Sequence, residues 1–277
     1  MNESIFKCPV CGCKLDIQSS SLICENNHSF DKSSSGYFNL LLPNQKSSKT
    51  PGDSKEMLVA RREFLNLGHY VPLLKYINNI VVKYRSGSHI NLLDIGCGEG
   101  YYSGNLDSNN SEIFGIDISK DGINMASSRY KNINFAVASS YKLPFLDDSI
   151  DIVLCIFSPY SMEEIQRVLK KEGIFILVDP GSSHLKSFVE KVTGEFKGHK
   201  GNKPIVNEDS TMRIISEEEI NYEIQLKNRI DITNLLKMTP YYWRISKDEF
   251  EQAQSFENIS TEVEFRINIL EKIDLVD

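Results

Sequence analysis

The sequence predicts an α/β protein: a doubly wound, mostly parallel sheet preceded by a small zinc-binding ribbon. Three observations lead there. Cys8-x-x-Cys11 and Cys24-x-x-x-His28 stand close together near the start. The apolar stretch "HINLLDI" runs directly into "GCGEG". Short apolar runs then alternate with amphipathic segments, as strand, loop and helix do in such a domain.

The chain has 277 residues, enough for one substantial core and a small added module. Hydrophobic residues make up 40% and charged residues 25%, an ordinary globular composition. No apolar run is long enough to span a bilayer, so no membrane partner is expected. "MNESIFKCPV" lacks the basic and apolar regions of a signal peptide. A cytoplasmic location is the expectation, and a reducing compartment favours metal ligation over disulfides for clustered cysteines. The formal net charge is -7 and excludes a generally basic nucleic-acid coat. Residues 1–85, with eight Lys and three Arg against three Asp and four Glu, carry +4; the remainder carries -11. A basic front on an acidic body suits a polyanion, although an excess of this size also arises by chance.

Cys8, Cys11, Cys24 and His28 have the spacing of two ligand pairs on one tetrahedral zinc. "KLDIQSSSLIC" between the pairs reads as two short strands around a polar turn. So small a module has little core, and metal binding would supply much of its folding free energy. Four protein ligands leave no open position, so the expected zinc is structural. Cys11-x-Cys13 is too tight for the usual turn, which makes Cys13 a spectator or an occasional replacement ligand.

"SGYFNLLLP" is expected to close the ribbon as a further strand, and "NQKSSKTPGDS" to be an exposed loop. Asp53 or Ser54 caps the helix in "SKEMLVARREFLNLG", with Met57, Ala60, Phe64 and Leu67 facing a core. Arg61 and Arg62 flank that stripe. Contact with phosphate or substrate and pairing with Glu63 or solvent are both open readings. Pro72 starts a second apolar helix.

In "LLDIGCGEG", Leu92, Leu93 and Ile95 form a buried strand ending in Gly96-x-Gly98-x-Gly100. Glycines there permit a tight turn and close backbone approach to a ligand. The third glycine comes one residue too early for a dinucleotide fingerprint. With Asp94 in front, the loop resembles the first motif of class I methyltransferases that use S-adenosylmethionine. That resemblance puts Asp94 near the methionine end and lets the cofactor pass close to Gly96, Cys97, Gly98 and Gly100. Asp117 ends the next strand, "EIFGID", where an acid accepts hydrogen bonds from ribose hydroxyls. "SSYKLPF" resembles the segment over adenine, which brings in Ser139 and Leu143; Ser139 stands where many relatives have an acid. "INFAVAS", "DIVLCIF" and "IFILVDP" read as strands three to five, and "SMEEIQRVLKKEG" as the helix after strand four. "EEINYEIQLKNRIDI" and "TEVEFRINILEKI" match the antiparallel pair that finishes such a sheet. "TGEFKGHKGNKPIVNED" suggests a basic substrate flap. Tyr241, Tyr242 and Trp243 could stack on a flipped base or simply pack. Phe157-Ser158-Pro159-Tyr160 stands where exocyclic-amino methyltransferases carry Asn-Pro-Pro-Tyr, which counts weakly against adenine N6.

Taken together, "CPVCGCKL", "ICENNHSFD", "GYFNLLLP", "PGDSKEMLVARREFLNLGHYVPL", "LLDIGCGEGYY", "VASSYKLPF", His184-Leu185 and "LLKMTPYYWR" resemble the bacterial large-subunit rRNA guanine-N1 methyltransferases of the RlmA family. The resemblance implies transfer of a methyl group from S-adenosylmethionine to N1 of a guanine in the hairpin-35 loop of 23S rRNA. It also implies one structural Zn2+ on Cys8, Cys11, Cys24 and His28, RNA recognition by the ribbon, and a homodimer. Arg61, Arg62, His69, Tyr70, Tyr241 and Trp243 become candidate RNA contacts. Guanine N1 carries a proton, so a base must remove it or the pocket must favour the anion; His184, Glu163 and Glu164 are the candidate bases. The implied division is a ribbon at 1–43, a basic linker with helices at 44–85 and a methyltransferase domain at 86–277. A small-molecule methyltransferase would share the loop without needing a ribbon, and an inactive zinc-containing RNA-binding protein would not need the intact Asp94, Gly96, Gly98 and Asp117.

Overall fold

The computed structural model describes residues 4–46, 51–85, 87, 89–198, 204 and 211–273. Two sheets are present among them. The first is the ribbon, an antiparallel β1 (Leu15–Gln18), β2 (Ser21–Cys24) and β3 (Ser29–Asp31). After β4 (Phe38–Asn39) come two helices, α1 (Lys55–Asn66) and α2 (Val71–Tyr84). The alternating core follows: β5 (Ile90–Ile95), α3 (Tyr101–Asn105), β6 (Ser111–Asp117), α4 (Lys120–Arg129), β7 (Asn134–Val137), β8 (Ile150–Ile156), α5 (Met162–Val168) and β9 (Leu169–Pro180). The chain finishes with α6 (Lys186–Thr193), β10 (Met212–Leu226), α7 (Arg229–Lys237), α8 (Lys247–Ser255) and β11 (Ile259–Lys272).

The large sheet has the order β10-β11-β9-β8-β5-β6-β7-β4. Strands β4 to β9 are parallel, while β11 runs antiparallel to both β9 and β10. Chain order reverses at β5, between β6 and β8, which opens a crevice at the carboxyl ends of the strands. The central strands are buried on both faces: Leu92, Leu93, Val153, Leu154, Phe175 and Ile176 have essentially no exposure. Continuous rather than alternating apolar runs are what a doubly covered parallel sheet requires.

"GYFNLLLP" departs from expectation. Its strand β4 is not the ribbon's closing strand but the edge of the large sheet, with Phe38 opposite Ala136 and Asn39 opposite Val137 on β7. A single bridge, Lys32 to Phe38, leads back to the ribbon. An open β7 edge would leave unpaired backbone groups, and β4 covers it. The ribbon's start is tied to the connection between β7 and β8: the Lys7 amide donates to the Pro144 carbonyl at 2.9 Å and the Leu146 amide to the Ile5 carbonyl at 2.9 Å. Phe6 fills the seam, with ring centroids 5.2 Å from Phe145, 5.7 Å from Phe114 and 6.2 Å from Phe38.

Two further expectations change. The helix expected over "SMEEIQRVLKKEG" ends at Val168, and Leu169 is already paired with Ile150. Glu172 takes a positive φ of 60°, and a Cβ on Gly173 would lie 2.7 Å from the Lys170 carbonyl oxygen. That tight turn and the burial of Leu169 stop the helix. Leu67, assigned to a core face, is 54% exposed because it is the C-cap of α1; Leu58 and Leu65 are buried instead. Ser54 is the N-cap, accepting from the Met57 amide at 3.3 Å. Most of the expected basic flap, residues 193–209, lies outside the described residues. Among the described residues no helix is long and apolar enough to cross a membrane.

Phe6→Ala should cost about 3–5 kcal/mol, the usual range for emptying a buried aromatic site. Denaturant unfolding checks it; a loss below about 1 kcal/mol would mean that the seam does not hold the ribbon.

Candidate cofactor cavity and metal centre

The ribbon gathers the four expected ligands. Two knuckle turns bring them in: the Gly12 amide donates to the Cys8 carbonyl at 2.9 Å, and the Asn27 amide to the Cys24 carbonyl at 2.9 Å. The ligand atoms of Cys8, Cys11, Cys24 and His28 all lie within 4.8 Å of one another. Cys11 Sγ is 3.6 Å from Cys24 Sγ, and His28 Nδ1 is 3.4 Å from Cys24 Sγ and 3.7 Å from Cys8 Sγ. Zinc–sulfur bonds of about 2.3 Å and zinc–nitrogen bonds of about 2.0 Å give tetrahedral edges of about 3.8 and 3.5 Å. The spacing fits one zinc and is far too wide for a disulfide. Cys13 stands outside the four, its sulfur accepting from Asn26 Nδ2 at 3.4 Å.

The larger feature is a cavity of about 730 Å³ over the carboxyl ends of β5, β6, β8 and β9. Its floor is the turn after β5. The Gly96 and Cys97 amides both donate to the Ile116 carbonyl, at 2.8 and 2.9 Å. The Gly98 amide donates to Asp117 Oδ2 at 2.9 Å, while Asp117 Oδ1 accepts from the Ser119 amide at 2.7 Å. Gly96 has a φ of 70°, and a Cβ there would collide with the Ser158 side chain. Gly98 has a φ of 57°, and its Cβ would touch the Arg61 guanidinium at 3.3 Å. Gly96 therefore needs glycine for conformation and for space, and Gly98 for conformation. Burial pushes the Asp117 carboxyl up, and the two backbone donors hold it back down.

The expected cofactor residues divide. Gly96, Cys97, Gly98, Asp117 and Ser139 line the cavity. Asp94, Gly100 and Leu143 do not. Asp94 is buried beneath the turn and accepts a short hydrogen bond from the Ser103 hydroxyl, so it braces α3. Burial, only partly offset by Ser103, pushes its carboxyl up to about 7. A Cβ on Gly100 would lie 2.9 Å from Ala126 Cβ, which makes that glycine a packing contact with α4. Leu143 is core, its amide donating to Glu164 Oε2 at 2.6 Å. The Ser139 hydroxyl accepts from the Tyr141 amide at 3.2 Å and shapes its own turn.

The leader before β5 is part of the wall. Pro51, Gly52, Asp53, Met57, Arg61, Leu65 and Tyr70 all face the cavity. Arg61 pairs with Asp53 at 2.6 Å, and the Ser119 hydroxyl donates to the Asp53 carbonyl at 3.1 Å. Arg61 thus sits over the glycine turn rather than on an outer RNA face. Arg62 is half-buried outside the lining. His69 packs on Phe64 with centroids 4.7 Å apart and lends its carbonyl to the Tyr222 hydroxyl at 3.0 Å, a helix-junction role away from the cavity. Tyr70 is buried in the wall, 3.4 Å from His184 Nε2. Tyr241 lines the cavity; Trp243 is 67% exposed and outside it.

Of the candidate bases, His184 lines the cavity, with Nδ1 3.0 Å from the Glu264 carbonyl oxygen. Glu163 is exposed and outside the lining. Glu164 is bound to Arg167 at 2.8 Å, which with the Leu143 amide outweighs burial and holds its carboxyl low. Two acids that sequence reasoning missed are in the wall. Glu99 is 1% exposed, with Arg129 3.7 Å away. Asp179 ends β9 at 4% exposure. Glu99 was a variable position inside a glycine motif, and Asp179 a strand terminus, so neither carried a local signal.

A glycine turn, an acid at the end of β6 and a cavity at the switch point fit S-adenosylmethionine in size and donor set. A family model described as a methyltransferase domain matches residues 86–238, and one described as the N-terminal part of RlmA matches residues 6–49. The chain is an S-adenosylmethionine-dependent methyltransferase. The Bacillus subtilis protein YxjB, provisionally named a 23S rRNA (guanine-N(1)-)-methyltransferase, is 32% identical over 276 residues, covering 96% of each chain. The 23S rRNA (guanine(748)-N(1))-methyltransferase of Streptomyces fradiae is 27% identical over 249 residues, covering 88% of each. YcgJ of Bacillus subtilis, a solved structure, has 19% identity and a TM-score of 0.46 over 73% of this chain and 98% of its own. This chain belongs to the RlmA family of methyltransferases.

Cys24→Ser should lose bound zinc, and Cys13→Ser should keep one equivalent per chain with unchanged unfolding. Elemental analysis of the purified variants decides; zinc loss from Cys13→Ser would overturn the ligand set.

Proposed function

We propose that this protein methylates N1 of a guanine in the hairpin-35 loop of 23S rRNA. The carrying observation is one cavity whose floor suits the cofactor and whose wall comes partly from the leader that follows the ribbon. A small-acceptor enzyme has no need for that leader or for a metal-bound module clamped to the sheet edge. The names of the Bacillus and Streptomyces relatives support the same substrate.

In this reading Asp117 accepts from the ribose hydroxyls, and the backbone of Gly96 to Gly98 passes along the methionine portion. Ser139 and the Ser139 to Tyr141 turn border the adenine. The cofactor supplies a methyl group on a sulfonium, ready for displacement by a nitrogen lone pair. The protein's share is to hold guanine N1 in line with that methyl, which is worth several powers of ten in rate, and to exclude water. Because the reacting end lies inside a cavity walled by the leader and the strand ends, the guanine must leave its stack to enter. Arg62, in the basic stretch that follows the ribbon, and the exposed Trp243 are offered as RNA contacts, and Tyr241 as a wall for the extruded base. Zinc keeps the ribbon folded and takes no part in chemistry. We further propose a cytoplasmic homodimer, divided as ribbon 1–43, linker and helices 44–85 and methyltransferase domain 86–277.

The test is incubation with labelled S-adenosylmethionine and unmodified 23S rRNA, followed by primer extension and mass spectrometry. A methyl on N1 blocks the Watson–Crick edge, so extension should stop one nucleotide short of a guanine in that loop. Label entering only small molecules, or a methylated guanine without such a stop, would contradict the reading.

A further inference from the structure

Guanine N1 cannot accept a methyl group while it holds its proton, so the acceptor end of the cavity needs a proton acceptor. Most acids and bases of the wall stand on its leader, β5 and β6 side or are tied into its packing. Asp53 is paired with Arg61 at 2.6 Å. Asp117 accepts from two backbone amides. Glu99 sits on the turn after β5, facing Arg129. His184 meets the Tyr70 hydroxyl with one ring nitrogen and the Glu264 backbone with the other. The buried Tyr70 phenol is pushed far above its ordinary range by desolvation, and the Cys97 thiol likewise, so neither is a usable base near neutrality.

Asp179 has contacts of its own as well, and what sets it apart is its place. It lies at the carboxyl end of β9, where the wall also includes Phe157, Ser158 and Pro159 from the end of β8. The sheet order puts β5 and β8 between β6 and β9. Asp117 and Asp179 thus stand three strand spacings apart, about 14 Å. A cofactor held at Asp117 and along the β5 turn would take the β5 and β6 side of the cavity, leaving the β8 and β9 side, where Asp179 stands, to the target base. Resting on the guanine-N1 reading, we propose that Asp179 is the catalytic residue that hydrogen-bonds the N1–H edge of the target guanine and takes its proton.

The step balances. The N1–H bond breaks, and its proton goes to the Asp179 carboxylate. The freed N1 electron pair forms the bond to the methyl carbon as the carbon–sulfur bond breaks, with that pair remaining on sulfur. Asp179 then returns the proton to water. A carboxylate can also accept from the guanine 2-amino group beside N1, a paired contact that orients the base. The groups around Asp179 keep its charge local. Tyr160 is pushed up to about 12 by burial and then by the negative charge of Asp179. Cys155 is pushed above its usual range by burial first, with Asp94 and Asp179 adding to it. Across the ladder Arg266 is in register with Asp179, and His184 shares its wall.

Asp179→Asn in the full-length zinc-loaded protein tests this. The methylation rate on 23S rRNA should fall on the order of 10²–10⁴-fold, with S-adenosylhomocysteine affinity by calorimetry unchanged. The wild-type rate should level off as pH rises. The Asn variant should climb about tenfold per pH unit towards the alkaline ionisation of guanine N1, because the substrate must then lose its proton unaided. If wild type marks guanine N1 and the Asn variant keeps its rate or its level profile, Asp179 is not the base and the substrate reading survives. If wild type transfers no methyl to guanine N1, both fall together. Should Asp179→Asn not fold, Asp179→Glu and Asp179→Ser replace it. Glu should recover part of the rate and the level profile and Ser neither; equal loss in both would overturn the assignment in favour of a structural role.

Discussion

The Asp117 carboxylate is the constraint on which the rest of the site depends. It ties the Gly98 amide to the start of the loop before α4, locking the turn after β5 across the end of β6. That turn is the cavity floor. Its glycines are forced by contacts from three directions: Ser158 after β8, Arg61 from α1 and Ala126 from α4. An ionised carboxylate in so buried a position is expensive unless hydrogen-bonded, and the two backbone donors provide the bonds. A side chain on the turn or the loss of that carboxylate would therefore disturb the floor, α1 and the β8 end at once.

The second consequence concerns the ribbon. It is held by β4 on the β7 edge, by two backbone hydrogen bonds to the connection between β7 and β8, and by the Phe6 seam. The chain leaving it comes back over the sheet as Pro51 to Tyr70 and becomes cavity wall. The Arg61–Asp53 pair and the Ser119 contact fasten that wall to the cofactor loop. The four-ligand cluster at one edge of the sheet and the cavity at its centre are thus joined by covalent chain as well as by packing.

Local signals carried the parts of this arrangement that were legible in sequence. The two ligand pairs have spacings that only short turns can use, and the cluster Cys8, Cys11, Cys24 and His28 assembles accordingly. "LLDIGCGEG" and Asp117 announced a turn, a strand and their meeting, since each is decided by a few adjacent residues. What escaped is tertiary. Asp94 and Gly100 belong to the same motif yet serve α3 and α4, because burial direction is set by neighbouring helices rather than by the motif. Leu143 points into the core because Glu164 holds its amide from another element. β4 looked like ribbon because nothing in "YFNL" records which edge is vacant. Glu99 and Asp179 acquire their position only when β5 and β9 are laid side by side with β8.

The central claim is that one cavity, floored by the Asp117-locked turn and walled by the leader, holds S-adenosylmethionine. Hydrogen–deuterium exchange with and without S-adenosylhomocysteine tests it most directly. Protection should appear in the turn after β5, at Asp117 to Ser119, around Ser139 to Tyr141 and in the Pro51 to Asp53 leader together, leaving the ribbon strands unchanged. Protection of the turn without the leader, or no protection of either, would contradict the account.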